Sequence, residues 1–326
     1  MFNALVLRQQ EKNTLAAIEP LAPSDLPEGD VRVQVHYSTL NYKDALAITG
    51  KGPVVRSFPM IPGIDLAGEV LESQDPRWQV GDQVLVNGWG LGEVRWGALS
   101  EQISLKSEWL QPLPNGLTGR QCMMFGTAGY TAMLCVMALE RYGIQADQGP
   151  VLVTGAAGGV GSVAVAILAK LGYEVHASSG RTSETAYLKG LGATEIIDRQ
   201  SLSEPGRPLN KERWAAAIDS VGSHTLANVC ASIHYGGAVA ACGLAQGMDL
   251  PATVAPFILR GVALLGVESV YRPIPQRIQA WDRLAQLLNP EALSLISQEG
   301  GLEDAIPLAQ QLLAGQLRGR CLIRVS

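Results

Sequence analysis

The chain is poor in the residues from which metal sites and disulfide frameworks are built. Of its 326 residues, five are cysteine and four are histidine. Cys122, Cys135, Cys230, Cys242 and Cys321 are odd in number and scattered, and no Cys-x-x-Cys occurs. That pattern excludes a paired disulfide framework and a clustered-thiolate metal site. It reads instead as small buried apolar residues in a reducing compartment. Basic excess is lacking too. The formal net charge is -5 with 17% charged residues, which argues against general nucleic-acid binding but leaves room for a local basic site that takes an anion. The opening segment, Met1 to Lys12, has no long apolar core of a signal peptide. Apolar stretches are broken by glycine or polar residues within about ten positions, short of the ~20 that cross a bilayer. The expectation is a cytoplasmic protein with no membrane or nucleic-acid partner.

What is present is apolar and rich in turns. Hydrophobic residues make up 47% of the chain, with 36 glycines and 18 prolines, enough to bury two cores over this length. Asp30 to His36 alternates polar and apolar residues, the pattern of a half-buried strand. Asp65 to Leu71 and Gln83 to Val86 read similarly, punctuated by Pro59, Pro62, Gly63, Gly81 and Gly88. This first third reads as an irregular all-β module. Near Cys122 the texture changes. A long apolar helix is expected over 123–140, opened by the turn at 126–129. Strands follow at 150–155, 173–180, 193–198, 214–221, 237–244 and 262–269, with helices at 160–172 and 182–192 and a helix start at Ser223. Such alternation specifies βαβ units around a parallel sheet covered on both faces. The tail supplies helices at 276–288 and 302–313 and a last strand at 321–326, expected to return to the first module. The fold class is therefore α/β. A doubly wound parallel sheet, residues 122–270, is inserted in a β-rich catalytic domain built from residues 1–121 and 271–326. The ligand site is expected in the cleft between them.

The strand Val151 to Thr154 runs into Gly155-Ala156-Ala157-Gly158-Gly159-Val160-Gly161 and then a helix. A glycine turn lets the backbone approach a pyrophosphate, and the helix start offers free N–H groups and a positive dipole end. The spacing G-x-x-G-x-x-G departs from the usual G-x-G-x-x-G, with Ala156 where the middle glycine would stand. The strand before, the helix after and a second strand about twenty residues on supply the context of a Rossmann dinucleotide site. Gly155, Ala157, Gly158, Gly159, Val160 and Gly161 are its expected contacts. The competing reading is a tight βα turn that needs glycine for geometry alone. The next strand ends in Ser178-Ser179-Gly180-Arg181, with no carboxylate before Glu184. Hydroxyls and a guanidinium suit a 2′-phosphate, so NADPH/NADP is expected rather than NADH. Ser179, Gly180 and Arg181 are assigned to it, with Arg199 past the following strand.

Four segments together resemble a known family: LNYKDALAITGKG (40–52), FPMIPGIDLAGEV (58–70), GTAGYTA (126–132) and GAAGGVGSVA (155–164). They are similar to the medium-chain dehydrogenase/reductase superfamily, in its zinc-free, quinone oxidoreductase-like branch and nearest to the acrylyl-coenzyme A reductases. The resemblance covers nearly the whole chain. It implies a GroES-like β domain, a Rossmann domain, a homodimer, and NADPH-dependent reduction of acryloyl-coenzyme A to propanoyl-coenzyme A. Zinc-binding members carry a Cys ligand early and a Gly-His-Glu motif later. Here the matching positions are Asn41 to Asp44 and Gly63-Ile64-Asp65, and a four-cysteine lobe is missing, so no metal is expected. Without a Lewis acid, a double bond conjugated to a carbonyl is a better hydride acceptor than a simple carbonyl, because fixed donors can stabilise the enolate and an acid or water can protonate the α carbon.

The resemblance places Tyr42 beside the nicotinamide as a donor of a hydrogen bond or proton. Asp44 is expected to orient Tyr42 or Lys43. Against this, Tyr42 reads as a cleft-wall aromatic, and Asp44 as the cap of a helix beginning near Ala45. Thr127 resembles the family's nicotinamide-side contact, with simple N-capping as the alternative. Leu244 and Val267 fall at carboxyl ends of sheet strands, where ligands collect. The substrate is expected to be an enoyl-coenzyme A thioester. A quinone or enone substrate is the second reading, and a non-catalytic NADPH-binding structural protein the third.

Overall fold

In the computed structural model the chain divides into two units. One comprises Met1–Ala128, Ser269–Ala285 and Leu293–Ser326, the other Gly129–Glu268 and Gln286–Ala292. The structure describes residues 1–288 and 290–326, with the side chains of 290–292 outside that description.

The first unit begins with a hairpin of β1 (Phe2–Gln10) and β2 (Asn13–Leu21). There follow β3 (Val31–Leu40), α1 (Tyr42–Thr49), β4 (Asp65–Ser73), β5 (Gln83–Asn87), β6 (Gln102–Leu105) and β7 (Gln111–Pro112). The alternation read at the start of β3 is realised. Val31, Val33 and Val35 are buried, while Arg32 and Gln34 stay partly exposed. They join Leu66, Val84, Ile103 and Ile323 in one core, where each aliphatic side chain contributes roughly 1.5–3 kcal/mol by leaving water.

Helix α2 (Gly119–Tyr142) then carries the chain into the second unit. The helical segment starts at Gly119, four residues before the apolar run read from sequence, and the non-helical Gly126 (φ 53°, ψ -161°) divides it, so a second helical stretch opens at Thr127, within the turn read at 126–129. By length and composition it could cross a bilayer, but 89% of its most apolar window is buried inside the protein, as in the core helix of a globular domain.

The second unit alternates β8 (Val151–Val153), α3 (Gly159–Lys170), β9 (Val175–Ser179), α4 (Thr185–Gly190), β10 (Glu195–Asp198), α5 (Gln200–Ser203), β11 (Trp214–Asp219), α6 (Ser223–Ala231), β12 (Ile233–Ala241), α7 (Ala255–Arg260) and β13 (Ala263–Gly266). Its sheet is parallel throughout, in the order β10-β9-β8-β11-β12-β13. All three residues of β8 are fully buried, as a strand covered on both faces requires. The order changes direction between β8 and β11, the position at which doubly wound sheets bind ligands.

The tail runs through α8 (Ile274–Leu287), α9 (Pro290–Ile296), β14 (Ser297–Gly301), α10 (Ala305–Leu313) and β15 (Arg320–Arg324). As expected, the last strand rejoins the first unit. β15 pairs antiparallel with β3, Cys321 opposite Leu40 and Arg324 opposite Tyr37. The completed sheet runs β14-β15-β3-β4-β5-β7, with β6 paired to β3.

Candidate functional site

In the second unit the glycine turn has the geometry its sequence specifies. Gly155 takes φ 58°, a left-handed conformation that costs a residue with a side chain about 1–2 kcal/mol. A Cβ there would lie 2.6 Å from Ser220 Oγ. Gly158 is the N-cap of α3 and supplies no capping side chain, so the first N–H groups of the helix have no capping acceptor from it. A Cβ on Gly161 would strike the Gly155 carbonyl and come within 2.6 Å of Ala156 Cα; this glycine lets helix and turn pack together. Gly158 is exposed and Gly159 and Val160 are partly exposed, while Ala157 is buried. Ala156, where the middle glycine was missing, is fully buried and donates its N–H to the Ser178 carbonyl. It is tied to β9, and the surface of the turn is left to its neighbours.

Ser179, Gly180 and Arg181 follow directly at the end of β9. The Arg181 N–H donates to Ser179 Oγ at 3.2 Å, and the Arg181 guanidinium lies 4.0 Å from Glu184. Asp198 of β10 is in register with Ser179, and the Arg199 N–H donates to the Ser179 carbonyl at 3.2 Å. The sequence-assigned residues of this strand end therefore converge. No acidic side chain stands at the end of β9 itself. Leu244 is 54% exposed in the turn after β12, and the Val267 N–H bonds the Ala241 carbonyl just past β13.

One organising residue was not singled out from sequence. Asp219, at the end of β11, is fully buried. Its Oδ1 accepts from the Thr154 hydroxyl at 2.7 Å, and its Oδ2 from the N–H groups of Val221 (3.2 Å) and Gly222 (2.8 Å). Thr154 Oγ1 in turn accepts from Ser220 N–H. Burial pushes the Asp219 carboxyl upward, opposed by these three donors. The signal for it in sequence was a carboxylate ending an otherwise apolar strand, WAAAID.

In the first unit, Tyr42 is the first residue of α1 and 47% exposed. Its hydroxyl bonds to none of the described residues. Asp44 is 2% exposed. The helix begins three residues earlier than the Ala45 start read from sequence, so Asn41 is the N-cap and Asp44 stands at the third helical position. Asp44 Oδ2 accepts from the Asn41 N–H at 2.8 Å and from its side-chain amide at 3.1 Å; Oδ1 accepts from Gly63 N–H at 3.1 Å. Asp44 bonds neither Tyr42 nor Lys43 among the described residues, and Lys43 pairs with Glu93 at 2.9 Å. Asp44 fixes the backbone turn that carries Tyr42 and leaves the phenol itself untouched.

Behind this turn lies a buried polar cluster. Thr39 Oγ1 donates to Asp65 Oδ1 at 2.6 Å and accepts from the Asn41 amide (3.0 Å) and Arg320 Nη2 (2.9 Å). Arg320 Nη1 donates to Asn41 Oδ1 at 3.1 Å. Asp65 Oδ2 accepts the Thr127 N–H at 2.6 Å. Gly126 leaves space for this: a Cβ there would collide with Arg320 Nη2 and lie 2.9 Å from Asp65 Oδ2. Two carboxylates and one guanidinium thus share a buried site. Burial, then repulsion from Asp65, raises the Asp44 carboxyl to about 7. Burial lowers the Arg320 guanidinium, opposed by the charge of Asp65. Thr127 also receives a long hydrogen bond from the Asn87 amide, 3.4 Å; it starts the helix segment after the kink, its N–H held by Asp65.

Among the described residues no group of three or more His, Cys, Asp or Glu side chains is placed to hold a metal ion. Ile64 stands in the Gly-Ile-Asp segment, and Asn41 is engaged with Arg320 and Asp44.

Known proteins offer close parallels. The family model described as "Zinc-binding dehydrogenase" matches residues 159–288, and the one described as "Alcohol dehydrogenase GroES-like domain" matches residues 27–115. An Escherichia coli (strain K12) protein named "Probable acrylyl-CoA reductase AcuI" is 54% identical, with 99% of each chain covered. Acrylyl-CoA reductase AcuI of Ruegeria pomeroyi (strain ATCC 700808 / DSM 15171 / DSS-3) is 50% identical over 100% of both chains. The crystal structure of the yhdH oxidoreductase from Salmonella enterica in complex with NADP superposes with a TM-score of 0.98. It is 54% identical and covers 99% of this chain and 100% of its own.

Proposed function

The chain belongs to the medium-chain dehydrogenase/reductase superfamily, in the group that contains acrylyl-CoA reductase AcuI, and from that premise we propose that it is an NADPH-dependent oxidoreductase reducing the activated C=C bond of acryloyl-CoA to give propanoyl-CoA. The end of β9 carries the cofactor half of this reading. It offers Ser179, Gly180 and Arg181, with Arg199 alongside and no carboxylate, a donor set suited to a 2′-phosphate and unsuited to a bare ribose hydroxyl. Full-length similarity to two acrylyl-CoA reductases carries the substrate half.

The residues fit a dinucleotide. Gly155 and Gly161 bring the backbone closer than any side chain would allow, and the start of α3 presents N–H groups to an anion. Gly155, Ala157, Gly158, Gly159, Val160 and Gly161 would hold the pyrophosphate; Ser179, Gly180, Arg181 and Arg199 the adenosine 2′-phosphate; Thr127, Leu244 and Val267 the nicotinamide end. When bound, NADPH supplies the hydride. Tyr42, exposed and with its hydroxyl bonded to none of the described residues, donates a hydrogen bond or proton where negative charge develops on the substrate. Asp44 and Asp65 hold the backbone around Tyr42 and Thr127 in place. Asn41 and Ile64, at the positions where zinc-binding members carry ligands, support a zinc-independent reaction.

A homodimer in the cytoplasm completes the reading. It is supported by the exposed apolar side chains of α7, Ile258 (71%) and Leu259 (61%), just before the edge strand β13. Light scattering on the purified protein tests it; a monomer at micromolar concentration contradicts it.

The substrate is tested by steady-state kinetics with NADPH on acryloyl-CoA and on a free quinone at matched concentrations. A higher kcat/KM on acryloyl-CoA supports the assignment. An equal or higher value on the quinone replaces it with quinone reduction, and NADPH binding without oxidation by either would make the protein non-catalytic.

A further inference from the structure

Gly180 is exposed and its φ lies outside the left-handed region, so its backbone would suit any residue. What makes glycine necessary is the Arg199 side chain, which lies across it. A Cβ built on Gly180 would stand 2.6 Å from Arg199 Cδ and 2.8 Å from Cζ, with Nε the nearest atom of all. Contact at these distances is closed to real side chains, and the blocking atoms, Cδ, Nε and Cζ, include the guanidinium itself, so a side chain added at 180 displaces the charged head of Arg199. The pairing of β9 with β10 sets up the encounter. Asp198 is opposite Ser179, and the Arg199 N–H is held by the Ser179 carbonyl at 3.2 Å, so the first side chain beyond β10 is laid over the first α-carbon beyond β9. Among the described residues the Arg199 guanidinium makes no ion pair or hydrogen bond. An exposed arginine lying over a glycine, with its charge uncommitted among the described residues, is a cation available to an external anion.

We propose that Gly180 determines cofactor choice through the side chain it lacks: it leaves the space in which Arg199 must lie to meet the 2′-phosphate of NADPH. This rests on the NADPH reading above. A residue with a side chain at 180 moves Arg199 off the strand end and removes its contribution, while NADH, which has no 2′-phosphate, is unaffected.

The test is a double-mutant cycle on the full-length protein, Gly180→Ala, Arg199→Ala and the two together, with dissociation constants for NADPH and NADH by titration calorimetry. Arg199→Ala should weaken NADPH about 10- to 100-fold, the range of a lost charge-assisted contact. Gly180→Ala should reproduce most of that loss. The double variant should bind NADPH no more weakly than Arg199→Ala alone, because both act through one group. NADH binding, which reports that the site is still folded, should change less than two-fold in all three. Unchanged NADPH binding in Gly180→Ala, losses that multiply in the double variant, or equal losses for both cofactors overturn the proposal. A wild-type protein that prefers NADPH, combined with an inert Arg199→Ala, overturns this inference and leaves the NADPH reading standing. A wild-type protein with no preference for NADPH overturns both.

Discussion

The Thr154 hydroxyl donates a 2.7 Å hydrogen bond to Asp219 Oδ1 across 65 residues of sequence. It joins the ends of β8 and β11 at the point where the order of the parallel sheet reverses. The other Asp219 oxygen holds the N–H groups of Val221 and Gly222, so one buried carboxylate fixes the glycine turn and the loop beside it. Asp219→Ala strands three donors, two of them buried. It should destabilise the protein by about 2–4 kcal/mol in urea unfolding and raise the KM for NADPH. A loss below about 0.5 kcal/mol, the level of an ordinary surface change, contradicts this role.

Asp44 makes stability depend on pH in an unusual direction. Burial, then the charge of Asp65, raises its carboxyl from the ordinary carboxylate range to about 7 in the folded protein, so the folded state holds the proton more tightly than the unfolded chain. That contribution is fully present below about pH 4 and is lost as pH rises through 7, a change of up to about 4 kcal/mol for a shift of this size. Asp44→Asn cannot ionise and should remove this fall. Urea unfolding of the two proteins between pH 4 and 8 should give curves that diverge as pH rises, with the wild type losing ground. Parallel curves would mean that Asp44 does not titrate in this window.

Arg181 should read the 2′-phosphate together with Arg199. Arg181→Ala is expected to weaken NADPH binding by about 1–3 kcal/mol while leaving NADH unchanged. Equal losses for both cofactors would assign Arg181 to its contact with Glu184 and not to the ligand.

Tyr42 is exposed at the head of α1, and its backbone is held by the Asn41–Asp44 cap. Tyr42→Phe keeps the ring and removes the hydroxyl. A ten-fold or greater fall in kcat with little change in NADPH affinity is expected for a group that acts on developing charge, within the ~10²–10⁴ range of acid–base catalysis. A change in KM alone would make Tyr42 a wall of the site.

The nucleotide-binding half was legible because its signals are local. Strand, glycine turn and helix follow one another in sequence at 151–170, and the residues after the next strand, 179–181, announce the ligand by lacking a carboxylate. The apolar alternation of Val31, Val33 and Val35 placed β3, and the apolar Cys321-Leu-Ile run placed β15. Other elements had no local signal. β14, with the sequence SQEGG, has no apolar side chain and exists through backbone pairing with β15. The alternative reading of Asp44, a good capping residue, as N-cap of a helix from Ala45 starts α1 three residues late; in the fold Asn41 takes that place and Asp44 reaches back to it. The cluster of Thr39, Asp65, Thr127 and Arg320 joins residues up to 281 positions apart, and the mutual approach of Gly180 and Arg199 depends on strand register. Neither is written in any one segment of sequence.

Transfer of label from the cofactor to the product tests the central claim most directly. Acryloyl-CoA is incubated with NADPH deuterated at the transferable C4 position, and the thioester product is analysed by mass spectrometry and NMR. The account predicts propanoyl-CoA with one deuterium at its β carbon and a solvent-derived hydrogen at its α carbon. Unlabelled product, label at the α carbon, or oxidation of the cofactor only when a quinone is added would contradict it.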